Sequence, residues 1–501
     1  MLRTLCILFV FASSVTAFSQ QADIAWALEI AQSSIEEVDS STAVSQDSLD
    51  VKTPLHVQSA NHLLANEEVS ASQKILALEQ RLESLENASK DSASAKKKLP
   101  SVAINGVFQA DGVLFNQTES SREAHGPIES GADFRRARLS AKGSVVESMN
   151  YFMQMDFGFF GRPTFTDVWT ELNDIPVLGN VRFGQWKQPF SLEVVSSFRY
   201  TTMMERSTVF QAFTPFRGIG LGFYDHSDDL NTTWATSMFR TGQDQYGGSV
   251  STNGGNGLAS RLTHLGWYEG AEGEDYLHLG CGYFLNAPPR EFGRYRSIPE
   301  IFVGEFVPSG IGTSGQATPA LADGTPFFAD TRAVPNVTLV NTYGLEVLWV
   351  RGPLSLQTEG MAAIVDQVTR PTALLGGGYA TLGYFITGEH RPYDRKSGAI
   401  DRVIPKCNLK KGGGLGAWEV AGRWSYLDVT DENIVGGSIQ NMTVGINWYT
   451  NPYCKFVFNY IHSWSDSPNL RGLASRGQPL SDFRIVNNQT DAFGFRCQLD
   501  F

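Results

Sequence analysis

The last residues of the chain, DAFGFRCQLDF (491–501), alternate in character. Phe493, Phe495, Cys497, Leu499 and Phe501 are apolar, while Ala492, Gly494, Arg496, Gln498 and Asp500 fill the places between them. A period of two predicts a strand with one apolar face. The same period appears in NYFMQMDFGFF, where Tyr151, Met153, Met155 and Phe157 oppose Gln154, Asp156 and Gly158. It appears again in DYLHLGCGYFLN, where Leu277, Leu279, Cys281 and Tyr283 oppose His278, Gly280 and Gly282. From Ser101 onward the pattern predicts sixteen strands. They begin near Val102, Phe134, Asn150, Phe165, Asn180, Gly218, Thr232, Gly257, Asp275, Thr338, Leu354, Ala373, Ala417, Gly437, Cys454 and Asp491.

The connections alternate between short and long. ESM, NDIPVLG, DHSDDL, GAEGE, RGP and TNPY are tight, whereas the segments around 116–132, 188–217, 241–256, 287–337 and 467–490 are long. Tight turns at one end and long loops at the other are the pattern of an outer-membrane barrel. The segment 390–416 breaks the alternation, because strand parity places this long stretch at the short-turn end. Either it folds there as a plug or platform, or the strand count is off by one. On the barrel reading the apolar row of the final strand faces lipid and its strand closes against the first. An open edge in hydrocarbon would cost several kcal/mol for each unpaired backbone group.

Upstream the texture differs. The start, MLRTLCILFVFASSVTA, has a basic residue, an apolar run and small residues at its end, which predicts a secretory signal cut after Ala17. Residues 18–100 form a leader. Within it Ala71, Ile75, Leu78, Leu82 and Leu85 step by four, three, four and three, a heptad seam over about 69–90. The expected fold is therefore all-β, a sixteen-stranded antiparallel transmembrane barrel over 101–501 with a short N-terminal coiled-coil helix. A single amphipathic helix is the alternative for the seam.

Composition narrows the function. The net charge of −12 argues against a nucleic-acid partner, and 49 glycines with few charged residues (18%) suit strands and turns. Cys281, Cys407, Cys454 and Cys497 show no CxxC spacing, so no metal site or cofactor is expected, and their pairing stays open. There is no GxSxG elbow, HExxH or P-loop, so no enzyme is expected.

Parity places Arg136, Arg138, Ser140 and Lys142 toward the lumen, with Arg135 pointing the other way unless a bulge turns it. Cationic rings are one way in which pores favour anions. The plainer reading pairs these arginines with Asp156, Asp167 and Glu171. An aromatic row of Trp169, Trp186, Phe198 and Tyr200 would suit a sugar channel instead, although barrel aromatics more often sit at the lipid interface. A third reading makes the barrel an anchor for its leader.

Several phrases, in order along the chain, resemble the phosphate-selective porin O/P family. They are DFRRARLSAKG (133–143), VRFGQWKQPFSLEVVSSFRYTTMMERS (181–207), TGEHRPYDRKSGAIDRVIPK (387–406), GAWEVAGRWSYLDV (416–429), VGINWYTNPYCKFVFNYIHS (444–463) and the terminal strand. The resemblance implies a homotrimer in the bacterial outer membrane, in contact with its lipid and built by the barrel-assembly machinery. It implies passive passage of small anions such as phosphate, or of other small solutes. The family's tandem arginine corresponds to Arg135 and Arg136, and its constriction-loop serines to Ser196 and Ser197. The family's loop lysine is replaced by Val194, and Arg199 and Lys187 lie nearby as substitutes.

Overall fold

The computed structural model describes residues 99–158, 163–241, 255–288, 291–304 and 324–501. The expected signal peptide and coiled-coil seam lie outside the described residues. Sixteen strands form one closed antiparallel barrel. They are β1 (Ala103–Gln117), β2 (Gly131–Val146), β3 (Met149–Asp156), β4 (Thr164–Ile175), β5 (Gly179–Lys187), β6 (Arg217–His226), β7 (Thr232–Thr241) and β8 (Gly255–Glu269), then β9 (Asp275–Ala287), β10 (Val337–Arg351), β11 (Leu354–Gln367), β12 (Ala373–Phe385), β13 (Ala417–Asp431), β14 (Ile434–Asn451), β15 (Cys454–Pro468) and β16 (Ile485–Asp500). β16 returns to β1 in register from Gln117↔Thr490 to Val107↔Asp500. Closure pairs the last strand with the first, so the barrel has no exposed edge.

Fifteen strands begin within three residues of the expected positions, and the sixteenth begins earlier, at Ile485 rather than Asp491. Its extra residues, IVNNQT, pair with Ser463–Pro468 of β15. They are largely polar on both faces, so the alternation of apolar and polar places is missing although the strand is present. The asymmetry of the connections is also weaker than the sequence suggests. At the long-loop end, 368–372 and 432–433 are as tight as the opposite turns.

The terminal alternation sorts as expected. On β16 Phe493 and Leu499 are 51% and 47% exposed on the outer face, while Arg496 and Asp500 are 2% and 3% exposed inside. The interior, however, is not wet throughout. Toward the long-loop end, inward Met361, Leu375, Leu427 and Ile439 pack with Phe190, Val209 and Phe213 of the β5–β6 connection. That connection (188–216) carries the short helices α1 (Leu192–Val195) and α2 (Thr208–Phe213) and lies inside the barrel. Phe190 stands where two glycines facing each other across β9 and β10 leave room. A Cβ on Gly282 or Gly344 would come within 2.9 or 3.0 Å of its ring. Met203 and Met204 lie over Gly445 and Gly494 in the same way, 3.1 and 2.6 Å from a Cβ placed there.

The count of sixteen stands, and the 386–416 connection sends residues 389–403 inward from the short-turn end as a plug, while most of 404–415 stays exposed. Inward side chains of β8 and β9 hold it. Tyr276 Oη donates to the Arg391 carbonyl (2.9 Å), Arg261 Nη2 donates to that of Gly398 (2.8 Å), and His278 Nδ1 meets Tyr393 Oη at 2.6 Å. The Ile400 N–H donates to Ser196 Oγ at 3.0 Å, which joins the plug to the 188–216 segment. Part of the β9–β10 connection enters as well, and its Glu300 binds Arg423 of β13 at 2.7 Å.

Candidate functional site

Two bulges shape the charged wall formed by β2 to β6. On β2 the register steps from Gln109↔Arg136 to Ala110↔Phe134, which leaves Arg135 as the extra residue. The bulge brings Arg135 inward, where Nε and Nη2 bind Glu205 at 2.9 and 3.1 Å. On β4 the register steps between Met153↔Val168 and Met155↔Phe165, so Thr166 and Asp167 both oppose Gln154. Asp167 then accepts from Arg217 of β6 at 2.7 Å. Arg138 binds Asp156 at 2.7 Å and Arg182 binds Glu171 at 2.6 Å. Of the pairings in the plainer sequence reading only Arg138 with Asp156 is present; Asp167 and Glu171 are taken by Arg217 and Arg182, and Arg135 and Arg136 turn to Glu205.

Two cations take backbone partners instead. Lys187 Nζ donates to the carbonyls of Val194, Val195 and Ser196 at 2.7, 3.1 and 2.8 Å. Arg206 donates to those of Glu193 and Ser196 at 2.6 and 3.2 Å. These are the carbonyls at the end of α1 that the helix itself cannot satisfy, and a helix C-terminus favours cations. Burial, opposed by Glu193 and assisted by Arg217, lowers the Arg206 guanidinium to about 10, so it stays charged at neutral pH. Arg138, Lys187, Arg206 and Arg217 thus lie close together where this segment meets the wall, with Asp156 and Asp167 beside the wall residues and Glu193 and Glu205 beside Arg206.

The inner segment is strapped to the wall along its length. Glu359 of β11 accepts from the N–H groups of Leu192 and Glu193 at 3.0 and 2.8 Å. Further on, Lys455 donates to the Thr201 carbonyl (3.0 Å), Asn459 accepts from Met204 N–H (2.8 Å), and Arg423 donates to the Glu205 carbonyl (3.0 Å). Burial alone would raise the Glu205 carboxyl, but Arg135, Arg136 and Arg496 hold it well below the usual carboxylate range.

The residues expected from sequence meet only in part. Arg136 donates to Gln109 at 2.7 Å and lies 3.5 Å from Glu205. Arg136 and Arg138 lie 4.7 and 4.6 Å from the Phe198 ring centroid. Ser196 accepts from the plug, and Ser197 Oγ accepts from the Arg199 N–H at 3.3 Å. Arg199 lies 3.7 Å from Asp500 near the end of β16. The four aromatics of the proposed sugar row are inside the barrel rather than in a lipid-facing girdle, and each carries a guanidinium group. Arg182 covers Trp169 at 3.8 Å and Trp186 at 6.0 Å, while Arg402 lies 5.3 Å from the Tyr200 ring centroid. Sequence reasoning missed Arg182, Arg423 and Arg496, although each falls in the polar phase of a predicted strand, and Arg217, which it placed at the end of the 188–217 connection. It also missed Glu193, Glu205 and Arg206, because nothing in a loop sequence tells which inward side chain each will meet.

The model of the family described as phosphate-selective porin O and P matches residues 102–500, nearly the whole barrel. The chain belongs to that family. The porin is 24% identical over 397 residues to Porin O of Pseudomonas aeruginosa, covering 73% of this chain and 83% of that protein. It is 27% identical over 391 residues to an uncharacterized protein of Caulobacter vibrioides, covering 74% of this chain and 68% of the other. Among solved structures it is similar to an anion-selective porin from Comamonas acidovorans, with 9% identity, a TM-score of 0.48, and coverage of 80% of this chain and 99% of that one. As a member of the family the protein is a porin of the bacterial outer membrane.

Proposed function

We propose that this porin is a passive channel, without catalysis, whose constriction favours small anions such as phosphate over cations. The observation that carries this is the clustering of four cationic side chains, Arg138, Lys187, Arg206 and Arg217, where the inner segment meets the β2–β6 wall. In a narrow passage of low dielectric clustered cationic side chains attract anions. The sugar reading loses support, because the ring faces it needs are covered by Arg182, Arg136, Arg138 and Arg402. Single-channel conductance tests the proposal. Replacing chloride by a bulky anion should collapse the conductance, and replacing potassium by a bulky cation should change it little. The reverse pattern would contradict it.

Three barrels are proposed to associate, with Gly112, Leu114, Ala132, Phe458, Phe493 and Phe495 of the outer groove on β1, β2, β15 and β16 supporting the contact. In lipid such close packing draws on small residues beside large ones. Cross-linking in membranes that yields monomers alone would contradict this. The terminal Phe501, whose backbone exchanges hydrogen bonds with Gly106 at 2.9 and 3.1 Å, is the proposed signal for the barrel-assembly machinery.

A further inference from the structure

Glu205 is held by guanidinium groups from three directions. Its Oε1 accepts from Arg135 Nε at 2.9 Å and from Arg496 Nη2 at 2.7 Å, with Arg136 Nη1 at 3.5 Å, and its Oε2 accepts from Arg135 Nη2 at 3.1 Å. Asp111 balances Arg496 from the other side, at 2.7 and 2.6 Å. The three arginines therefore face two carboxylates, of which only Glu205 comes from the inner segment. Charge-assisted contacts from several guanidinium forks are also how proteins hold free carboxylate and phosphate groups.

The approach to this cradle is from the Arg135 side, since that side chain is 15% exposed against 7% for Arg136 and 2% for Arg496. The backbone around Glu205 is fixed independently of its carboxylate. Arg423 binds the Glu205 carbonyl, Asn459 binds the Met204 N–H, and Arg496 Nη1 also donates to the Met204 carbonyl. The carboxylate can thus be removed while the segment keeps its course.

We propose that Glu205 is a tethered anion occupying an oxyanion site made by Arg135, Arg136 and Arg496, so that the wild-type pore passes anions without retaining them there. Removing its charge opens the site to a free oxyanion. This rests on the anion-favouring reading of the constriction. It goes further in identifying a residue that sets how long an anion stays.

The test uses the full-length porin in planar bilayers, with inorganic phosphate titrated against chloride current. Glu205→Gln should lower the phosphate concentration that halves the current by about tenfold or more, since a buried charge left unpaired recruits a counter-ion. Glu205→Asp keeps the carboxylate and should stay within about twofold of wild type. An unchanged phosphate sensitivity in Glu205→Gln, or an equal gain in Glu205→Asp, would overturn the proposal. Should Glu205→Gln assemble poorly, refolding with added phosphate should restore it, and failure to assemble with and without phosphate would overturn the proposal too. The ion-replacement measurement on the wild type distinguishes the two ideas. Anion preference without a phosphate effect in the variant ends the tethered-anion idea alone. A phosphate effect in a wild-type background that lacks anion preference ends the constriction reading alone.

Discussion

Neutralising Asp156 tests whether Arg138 faces the path of the ions. Arg138 Nε lies 2.7 Å from Asp156 Oδ2, and the two side chains are 9% and 5% exposed. To an ion passing several ångströms away the intact pair is little more than a dipole. Removing one member leaves a full charge. At about 7 Å, with an effective dielectric between ~20 and ~80, that charge alters the energy of a passing ion by about 0.6–2.4 kcal/mol. Screening over a length of about 10 Å in 0.1 M salt removes roughly half. Asp156→Asn should therefore raise the anion-to-cation permeability ratio at least about twofold, and Arg138→Gln should lower it by a similar factor. The double variant should return to within about 1.5-fold of wild type if the pair acts as a unit. The assay is the reversal potential in planar bilayers under a potassium chloride gradient. If both single variants keep the wild-type reversal potential, the pair lies off the path and the charged wall does not set selectivity.

Other consequences follow from the same geometry. Phe190→Ala should loosen the inner segment, because truncating a fully buried Phe costs about 3–5 kcal/mol. Limited proteolysis should then cut within 188–216, and continued resistance would show that the slot at Gly282 and Gly344 is not its anchor. Replacing 388–412, which contains the plug, by a short turn should increase single-channel conductance, and unchanged steps would place it outside the path. Glu205 is held below its free value of 4.5, so its stabilisation is complete above that value and is lost only as pH falls through the still lower folded one. The difference in melting temperature between wild type and Glu205→Gln should therefore stay constant from about pH 7 to about 5, and a difference that shrinks in that window would contradict the pairing with three arginines. Leu345→Arg on the outer face of β10 should cost about 2–4 kcal/mol and reduce assembled barrel, whereas full yield would argue against a lipid-facing row.

The strands and their sidedness were legible because a barrel wall has one periodic demand, apolar outward and polar inward, and Arg136, Arg138 and the terminal Phe493–Phe501 row obey it. The upper part of β16 was not legible, because Ile485–Thr490 is largely polar on both faces. Arg135 was readable only as a conditional, since a bulge changes which face a residue serves and leaves no mark in the period. The interior was least legible. The pairing of Arg135 with Glu205, 70 residues away along the chain, depends on how a loop folds back across the lumen, and no local pattern encodes that path. Gly282 and Gly344 carried a trace of it, but only the position of Phe190 gives them their meaning.

The central claim is that solutes pass through the barrel beside a wall on which cationic side chains cluster. The most direct measurement is the reversal potential of single wild-type channels under a potassium chloride gradient. The account predicts stable open steps and a potential of the sign set by chloride. A closed barrel without steps, or a potential of the sign set by potassium, would contradict it.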